Sequence, residues 1–198
     1  MFVALGGCAS VQRMPGRAAT AAEANLLGLA LTPLLDQLGY ERPRRASDCR
    51  VGVVVFASPA INAGAGPGAE TPCSWFALAV TEGILTRLPV AMLRAILAHE
   101  LGHVRLGHTE ARRERGETVA IFRPFTRVFD RDEEAQADRF AVELLRELEP
   151  RHPGACIALV YVFALLAEQP GGPARWLATH PSPDRRAEIA LAGCNRRG

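Results

Sequence analysis

The sequence predicts an α+β fold, namely a mostly helical single domain with a small β-sheet. Two observations support this prediction: several long segments carry apolar residues at helical spacing, and two short segments have the length of β-strands. The chain has 198 residues, of which 48% are hydrophobic, so it can bury one substantial core. We expect residues 1–17 to be a signal-like segment and tether, and residues 18–198 to form the domain.

Two strands and the short helix after them are predicted in the first half of the chain. Residues 50–57 contain a run of valines typical of a β-strand, and residues 74–80 are a second strand candidate. The segment between them, residues 59–72, is rich in Gly, Ala and Pro and therefore predicts a loop. Thr81 is the predicted N-cap of a short helix that runs through Leu88.

The remaining segments are predicted to be mostly helical. Gly39 is expected to end the first helix, and Pro89 is expected to open the third. Residues 109–129 have no firm period, so they predict either a mobile flap or a solvated loop. Besides the short helix after Thr81, the predicted helices cover residues 18–38, 89–106, 132–148, 153–169 and 183–192.

Charge and hydropathy give no support to nucleic-acid binding or to a helix that spans a membrane. The formal net charge is +2, which gives no support to nucleic-acid binding. No run of about 20 apolar residues occurs, which is the length that a bilayer-spanning helix needs. The most apolar segment, residues 155–167, is too short and predicts a buried core helix. A link to the membrane would therefore require a lipid or a partner.

One of the five cysteines, Cys8, stands apart from the others. It follows Leu5-Gly6-Gly7, and this context resembles the processing box of bacterial lipoproteins, in which the cysteine is lipidated. The resemblance implies a lipid anchor on the membrane and a periplasmic location in the bacterial cell envelope.

The other four cysteines contain no CxxC pair, so a structural zinc knuckle is not predicted. An oxidising periplasm would allow two disulfides, and we favour Cys49 with Cys73 and Cys156 with Cys194. The alternative is that all four are small buried hydrophobic residues.

The chemistry of the chain is concentrated in the segment His99-Glu100-Leu101-Gly102-His103. Residues four apart on a helix lie on one face, so both imidazoles can reach one metal ion. Glu100 can reach a water on that metal and accept its proton, since zinc lowers the pKa of bound water toward neutrality. The motif lies mid-helix in an apolar stretch, where a His-Glu-His cluster without a metal would be costly to bury.

A third ligand is needed, because a catalytic zinc site has three protein ligands and one open position. The predicted helix over residues 132–148 offers Glu134 and Asp138, which are again four residues apart, but the pattern alone does not choose between Glu133 and Glu134. One carboxylate could bind the metal while the other orients a histidine ring. His108 and His152 are predicted to be surface histidines.

A third motif, Thr179-His180-Pro181-Ser182-Pro183, is followed by Arg186. Together and in this order, the His-Glu-Leu-Gly-His motif, the Glu134-to-Asp138 motif and this one resemble the gluzincin peptidases related to HtpX, BepA and the CAAX prenyl proteases. The similarity extends over residues 62–190. Arg185 lies beside Arg186, so the pattern leaves open which arginine points inward.

The resemblance implies a zincin-like (minigluzincin) fold and one Zn²⁺ per chain, bound by His99, His103 and Glu134. It implies that Asp138 supports a ligand from behind. His180 and Arg186 would lie over the open coordination position, as catalytic residues beside the general base Glu100. The strand over residues 74–80 would be the sheet edge that pairs with an extended substrate.

The function that these motifs predict is a zinc-dependent metalloendopeptidase that hydrolyses peptide bonds of proteins in quality control of the cell envelope. Its partners would be protein or peptide substrates. The alternative is a zinc-bound latent protease that acts mainly as a chaperone or scaffold, with His180 as a fourth ligand. A structural metal site without activity is a third, weaker reading of the same residues.

Overall fold

The mostly helical α+β fold is confirmed in a computed structural model, which describes residues 16–40, 50–67, 74–114, 130–168 and 182–196. Several residues that the sequence singled out lie outside these ranges, among them Cys8, Cys49, Cys73 and His180. The expectations of a lipid anchor, of the Cys49–Cys73 disulfide and of the position of His180 therefore concern residues outside the described ones. The same holds for most of the predicted flap, from residue 115 onward.

Within the described residues, the sheet has four strands in the order β1-β2-β4-β3. They are β1 (Gly16–Arg17), β2 (Arg50–Phe56), β3 (Ala63–Pro67) and β4 (Ser74–Thr81). β2 and β4 pair in parallel, whereas β1 and β3 run antiparallel to their neighbours. The strands predicted over residues 50–57 and 74–80 are confirmed as β2 and β4.

The prediction of a loop over residues 59–72 is wrong in part, because β3 forms there. Its sequence, Ala-Gly-Ala-Gly-Pro, has a low strand propensity, but it pairs with β4 in a regular antiparallel register from Ala63 opposite Val80 to Pro67 opposite Phe76. Pairing with a neighbouring strand outweighs a weak local preference. β4 is consequently an interior strand, and β3 is the edge strand beside it, which corrects the expectation that residues 74–80 form the edge.

The described part of the chain contains seven helices. Capping boxes open two of them, with Thr20 and Glu23 at α1 and with Asp130 and Glu133 at α5. The prediction of irregular structure from residue 109 is wrong at its start, where a short helix forms. The helices are α1 (Ala21–Gln37), α2 (Glu82–Arg87), α3 (Val90–Arg105), α4 (His108–Glu114), α5 (Arg131–Leu148), α6 (Ala155–Ala167) and α7 (Pro183–Cys194).

α3 is the central helix of the fold and contacts α1, α5, α6 and β3. Leu93, Leu97 and Leu101 lie one turn apart on it and are buried in the core. Burial of each such side chain contributes about 1.5–3 kcal/mol. The middle of α3, which carries the His-Glu-Leu-Gly-His motif, is thereby held in the protein interior.

A buried arginine joins α1 to α3. Pro33 lies inside α1 and has no N–H, so it cannot donate to the carbonyl oxygen of Leu29 one turn earlier. Arg94 of α3 donates from Nη2 to that oxygen at 2.9 Å. The contact satisfies a carbonyl group that the helix itself leaves unpaired.

The predicted disulfide between Cys156 and Cys194 is confirmed, and it fastens α7 to α6. The alternative that these two cysteines are reduced core residues is therefore wrong. Among the described residues, none of the helices combines the length and the apolar character needed to cross a bilayer.

Candidate metal centre

The motif on α3 presents both of its histidines to one point. His99 and His103 are one helical turn apart and buried, and their Nε2 atoms lie 3.2 Å from each other. The two rings meet edge to face, with centroids 4.8 Å apart. This arrangement brings two imidazole nitrogens together as a pair of ligands for one ion.

α5 adds a carboxylate to the same point. The Oε2 atom of Glu134 lies 3.3 Å from Nε2 of His99, and its Oε1 atom lies 3.5 Å from Nε2 of His103. The ligand atoms of the three residues all lie within 4.8 Å of one another. Glu133 is the residue that the pattern could not exclude, but its carboxylate accepts from the N–H of Asp130 in the capping box instead.

A glycine allows α5 to come this close to α3. A Cβ atom built on Gly102 would lie 3.1 Å from both the Cα and the carbonyl oxygen of Ala137. Gly102 lies within the motif on α3, and Ala137 lies between Glu134 and Asp138 on α5. The close contact therefore lies at the level of His99, His103 and Glu134 and positions Glu134 against the two histidines.

Each histidine is also held from behind, through its Nδ1 atom. Nδ1 of His99 lies 2.9 Å from Oδ1 of Asp138, and Nδ1 of His103 lies 3.1 Å from Nδ1 of His108. The prediction that His108 is a surface residue is wrong, since only 7% of it is exposed. His152, the other residue predicted to be a surface histidine, is half-buried and takes no part in the site.

Arg186, rather than Arg185, is the arginine that points inward. Arg185 is exposed and pairs with Glu188, whereas Arg186 is buried and donates to both oxygens of Asp138, at 2.6 and 2.5 Å. Its Nη2 atom also lies 3.4 Å from Nδ1 of His99 and 3.5 Å from Oε2 of Glu134. The buried carboxylates of Asp138 and Glu134 attract the guanidinium. The expectation that Arg186 lies over the open coordination position stays a prediction.

Glu100 lies next to the ligand cluster and against the edge strand. It is 7% exposed, and its carboxylate accepts a hydrogen bond from the backbone N–H of Ala65 in β3. Burial raises the pKa of Glu100 to about 7, and the nearby carboxylate of Glu134 raises it further, although His99 and Arg186 oppose the shift. A carboxyl group with a pKa near neutrality can both accept and return a proton at physiological pH.

The carboxylates of Glu134 and Asp138 favour a positive charge on the group between them. Burial alone would lower the pKa of His99, but its contacts with Asp138 and Glu134 outweigh burial and raise the pKa to about 10. Burial lowers the pKa of His103 to about 4. When a cation displaces the proton of His99, two unprotonated imidazole nitrogens and one carboxylate form the donor set of many catalytic zinc sites, so these residues fit a divalent cation such as zinc.

The comparison with known families identifies the chain. The family model described as Peptidase U49 matches residues 80–197, which is more than half of the sequence. The chain belongs to the peptidase U49 family. No curated protein matches it. The stretch that matches the U49 model contains all of the residues of the cluster described above, and it assigns the protein to the peptidases.

Sequence reasoning found most of this candidate site but missed one member. His108 follows His103 by five residues, a spacing that puts the two on different sides of a continuous helix, roughly 140° apart. The available signal was Gly107, which can bend the chain between them. His180, which the resemblance placed over the site, lies outside the described residues.

Proposed function

We propose that the protein is a zinc-dependent metalloendopeptidase in which His99, His103 and Glu134 bind one Zn²⁺. The observation that carries the proposal is the convergence of three buried ligand atoms within 4.8 Å, beside a buried glutamate whose pKa is about 7. The resemblance of the three sequence motifs to HtpX- and BepA-type gluzincins supports the same ligand set. Membership of a peptidase family supports proteins and peptides as the substrates.

Glu100 is the proposed general base. The chemistry that zinc supplies when bound is Lewis acidity at the scissile carbonyl and a water of lowered pKa. Glu100 accepts a proton from the attacking water at its carboxylate and returns it to the leaving amine. Asp138 holds His99 through Nδ1, which keeps Nε2 of that ring directed at the ligand point.

Extended polypeptide is the proposed form of the substrate, and β3 is the proposed surface that binds it. The backbone N–H of Thr81 donates to the carbonyl of Asn62, the residue just before β3. Backbone groups of successive residues in an antiparallel strand alternate in direction, so those of Ala63 point away from β4. The same holds for Ala65, whose N–H reaches Glu100. A segment paired with this edge would therefore be read by its backbone, close to the proposed base.

The cell envelope is the proposed location, with a lipid on Cys8 as the anchor and unassembled or misfolded envelope proteins as substrates. The Cys156–Cys194 disulfide supports an oxidising compartment, because such bonds persist there and are rare in the cytosol. The oxidation state of these two cysteines in cells tests this proposal.

The decisive experiment compares zinc content and cleavage of an unfolded test protein in the full-length chain. Glu100→Gln should retain one zinc per chain and lose about 10²–10⁴-fold in cleavage rate, the usual contribution of a positioned proton-transfer group. Glu134→Gln should lose zinc and activity together. Glu143→Gln is the matched control, since Glu143 is exposed on the same helix and should affect neither quantity. Phenanthroline should abolish cleavage, and added Zn²⁺ should restore it.

Three outcomes would contradict the proposal in different ways. Undiminished cleavage by Glu100→Gln would exclude Glu100 as the base, and a wild-type protein without zinc affinity would exclude the metal site. Stoichiometric zinc without cleavage in the wild type, followed by cleavage in His180→Ala, would instead favour the latent protease in which His180 blocks the metal.

A further inference from the structure

His108 and His103 form a buried pair of imidazole rings behind the proposed metal ligands. Their Nδ1 atoms are 3.1 Å apart and their ring centroids are 5.2 Å apart. His103 is 1% exposed and His108 is 7% exposed. The proposed function uses His103 but assigns no role to His108. A buried imidazole is a polar group, and buried polar groups in proteins nearly always make hydrogen bonds.

A break between α3 and α4 allows the side chain of His108 to contact His103. α3 ends at Arg105, and Gly107 follows with a φ of +75°, a conformation that favours glycine. α4 then starts at His108 in a new direction. On one continuous helix the two side chains would diverge by about 140°, so their contact exists only because of this break.

Binding of a cation at the three ligand residues would fix which nitrogen of each ring carries the proton. Nε2 of His103 faces His99 and Glu134, so it must be unprotonated when it binds a cation. The proton of a neutral His103 then lies on Nδ1, which donates to Nδ1 of His108. His108 must accept there, and its own proton therefore lies on Nε2.

We propose that His108 is a positioning residue that fixes the ring orientation and the tautomer of His103 as a metal ligand. The inference rests on the proposed zinc site. It makes the support of the two histidines asymmetric, since His99 donates to the Asp138 carboxylate and His103 donates to a neutral imidazole. Removal of a group that orients a ligand in this way usually lowers metal affinity by about 10- to 100-fold.

The test uses two variants that have nearly the same shape and differ in one acceptor. His108→Leu removes the acceptor, whereas the side-chain oxygen of His108→Asn can accept from Nδ1 of His103. We expect zinc affinity, measured by competition with a chromophoric chelator, to fall about 10- to 100-fold in His108→Leu and to be largely retained in His108→Asn. His152→Leu is the control for loss of a histidine away from the site, and it should leave zinc affinity unchanged.

A second readout separates positioning from packing. Nitrogen NMR of the ring of His103 in the zinc-free full-length protein should show the proton on Nδ1 in the wild type and in His108→Asn, and a shift of the proton toward Nε2 in His108→Leu. Equal zinc affinity in the wild type and His108→Leu would overturn the inference. Equal losses in Leu and Asn with an unchanged tautomer would also overturn it. A wild-type protein that binds no zinc would instead overturn the proposed function.

Discussion

Arg186 balances the charge of the site at the level of single residues. Burial alone would raise the pKa of Asp138, but Arg186 and His99 outweigh burial and hold the pKa below its ordinary range. The guanidinium also lies 4.3 Å from the centroid of the buried Phe163 ring. A buried pair of this kind contributes little net stability, yet removal of one partner leaves the other charge uncompensated.

Replacement of Arg186 alone should therefore lower the free energy of unfolding far more than replacement of both Arg186 and Asp138. Arg186→Met should lower the free energy of unfolding by about 3–5 kcal/mol, since it leaves the charge of Asp138 buried. Adding Asp138→Asn removes that charge while keeping an acceptor for His99, so the double variant should regain part of the loss. Urea denaturation of the wild type, both single variants and the double variant measures the coupling. Simple additivity of the two losses would contradict the pairing.

The same pair determines how the stability of the folded protein changes with pH. The pKa of Asp138 is lower in the folded than in the unfolded protein, so the stability that its charge contributes is complete above about pH 4 and is lost as the pH falls further. The difference in unfolding free energy between the wild type and Asp138→Asn should consequently shrink at acid pH.

At the level of the helices, the site depends on how closely α3 and α5 approach. Alanine is intrinsically favoured over glycine in a helix by about 1 kcal/mol. A methyl group on Gly102 would nevertheless meet the backbone of Ala137 at 3.1 Å, which is tighter than ordinary van der Waals contact. The backbone of α5 cannot rotate away as a flexible side chain would, so the helix as a whole must shift and carry Glu134 with it.

Gly102→Ala should therefore destabilise the protein and weaken zinc binding. Gly28→Ala is the matched control, because Gly28 also lies inside a helix and its added Cβ would meet nothing within 4 Å. That variant should raise the free energy of unfolding by about 0.5–1 kcal/mol and leave zinc affinity unchanged. Urea denaturation and chelator competition measure both effects. A stabilised Gly102→Ala protein with full zinc affinity would show that the close approach does not set the site.

At the level of the whole molecule, the Cys156–Cys194 disulfide links the last helix to the centre of the fold. The two cysteines are 38 residues apart in sequence, and the closed loop includes Arg186 of α7. A crosslink over a loop of this length is expected to stabilise the folded state by about 4 kcal/mol through the entropy of the unfolded chain.

Reduction of this disulfide should lower both stability and zinc affinity, since α7 carries the guanidinium that holds Asp138. Alkylation of thiols in intact cells, before and after reduction, should find Cys156 and Cys194 oxidised. Cys156→Ala combined with Cys194→Ala should then match the reduced wild type in unfolding free energy. Free thiols at both positions in cells would contradict a location in the oxidising envelope.

The sequence predicted the parts of the site that depend on local geometry. The pairing of His99 with His103 follows from helix periodicity alone, because residues one turn apart share a face. Glu134 could be chosen over Glu133 only by resemblance, since the choice depends on the direction from which α5 approaches α3. His108 was misjudged because its burial depends on the turn at Gly107, and β3 was missed because its pairing with β4, not its composition, makes it a strand.

The edge strand has one more consequence, which concerns the substrates rather than the peptidase. In the proposed mode of binding, the substrate pairs its backbone with β3, which a helix or an interior strand cannot do because its own hydrogen bonds occupy those backbone groups. Folded proteins would be cleaved only in the fraction of time that such a segment is locally open. The free energy of local opening of each protein, more than its side-chain sequence, would then decide whether it is degraded.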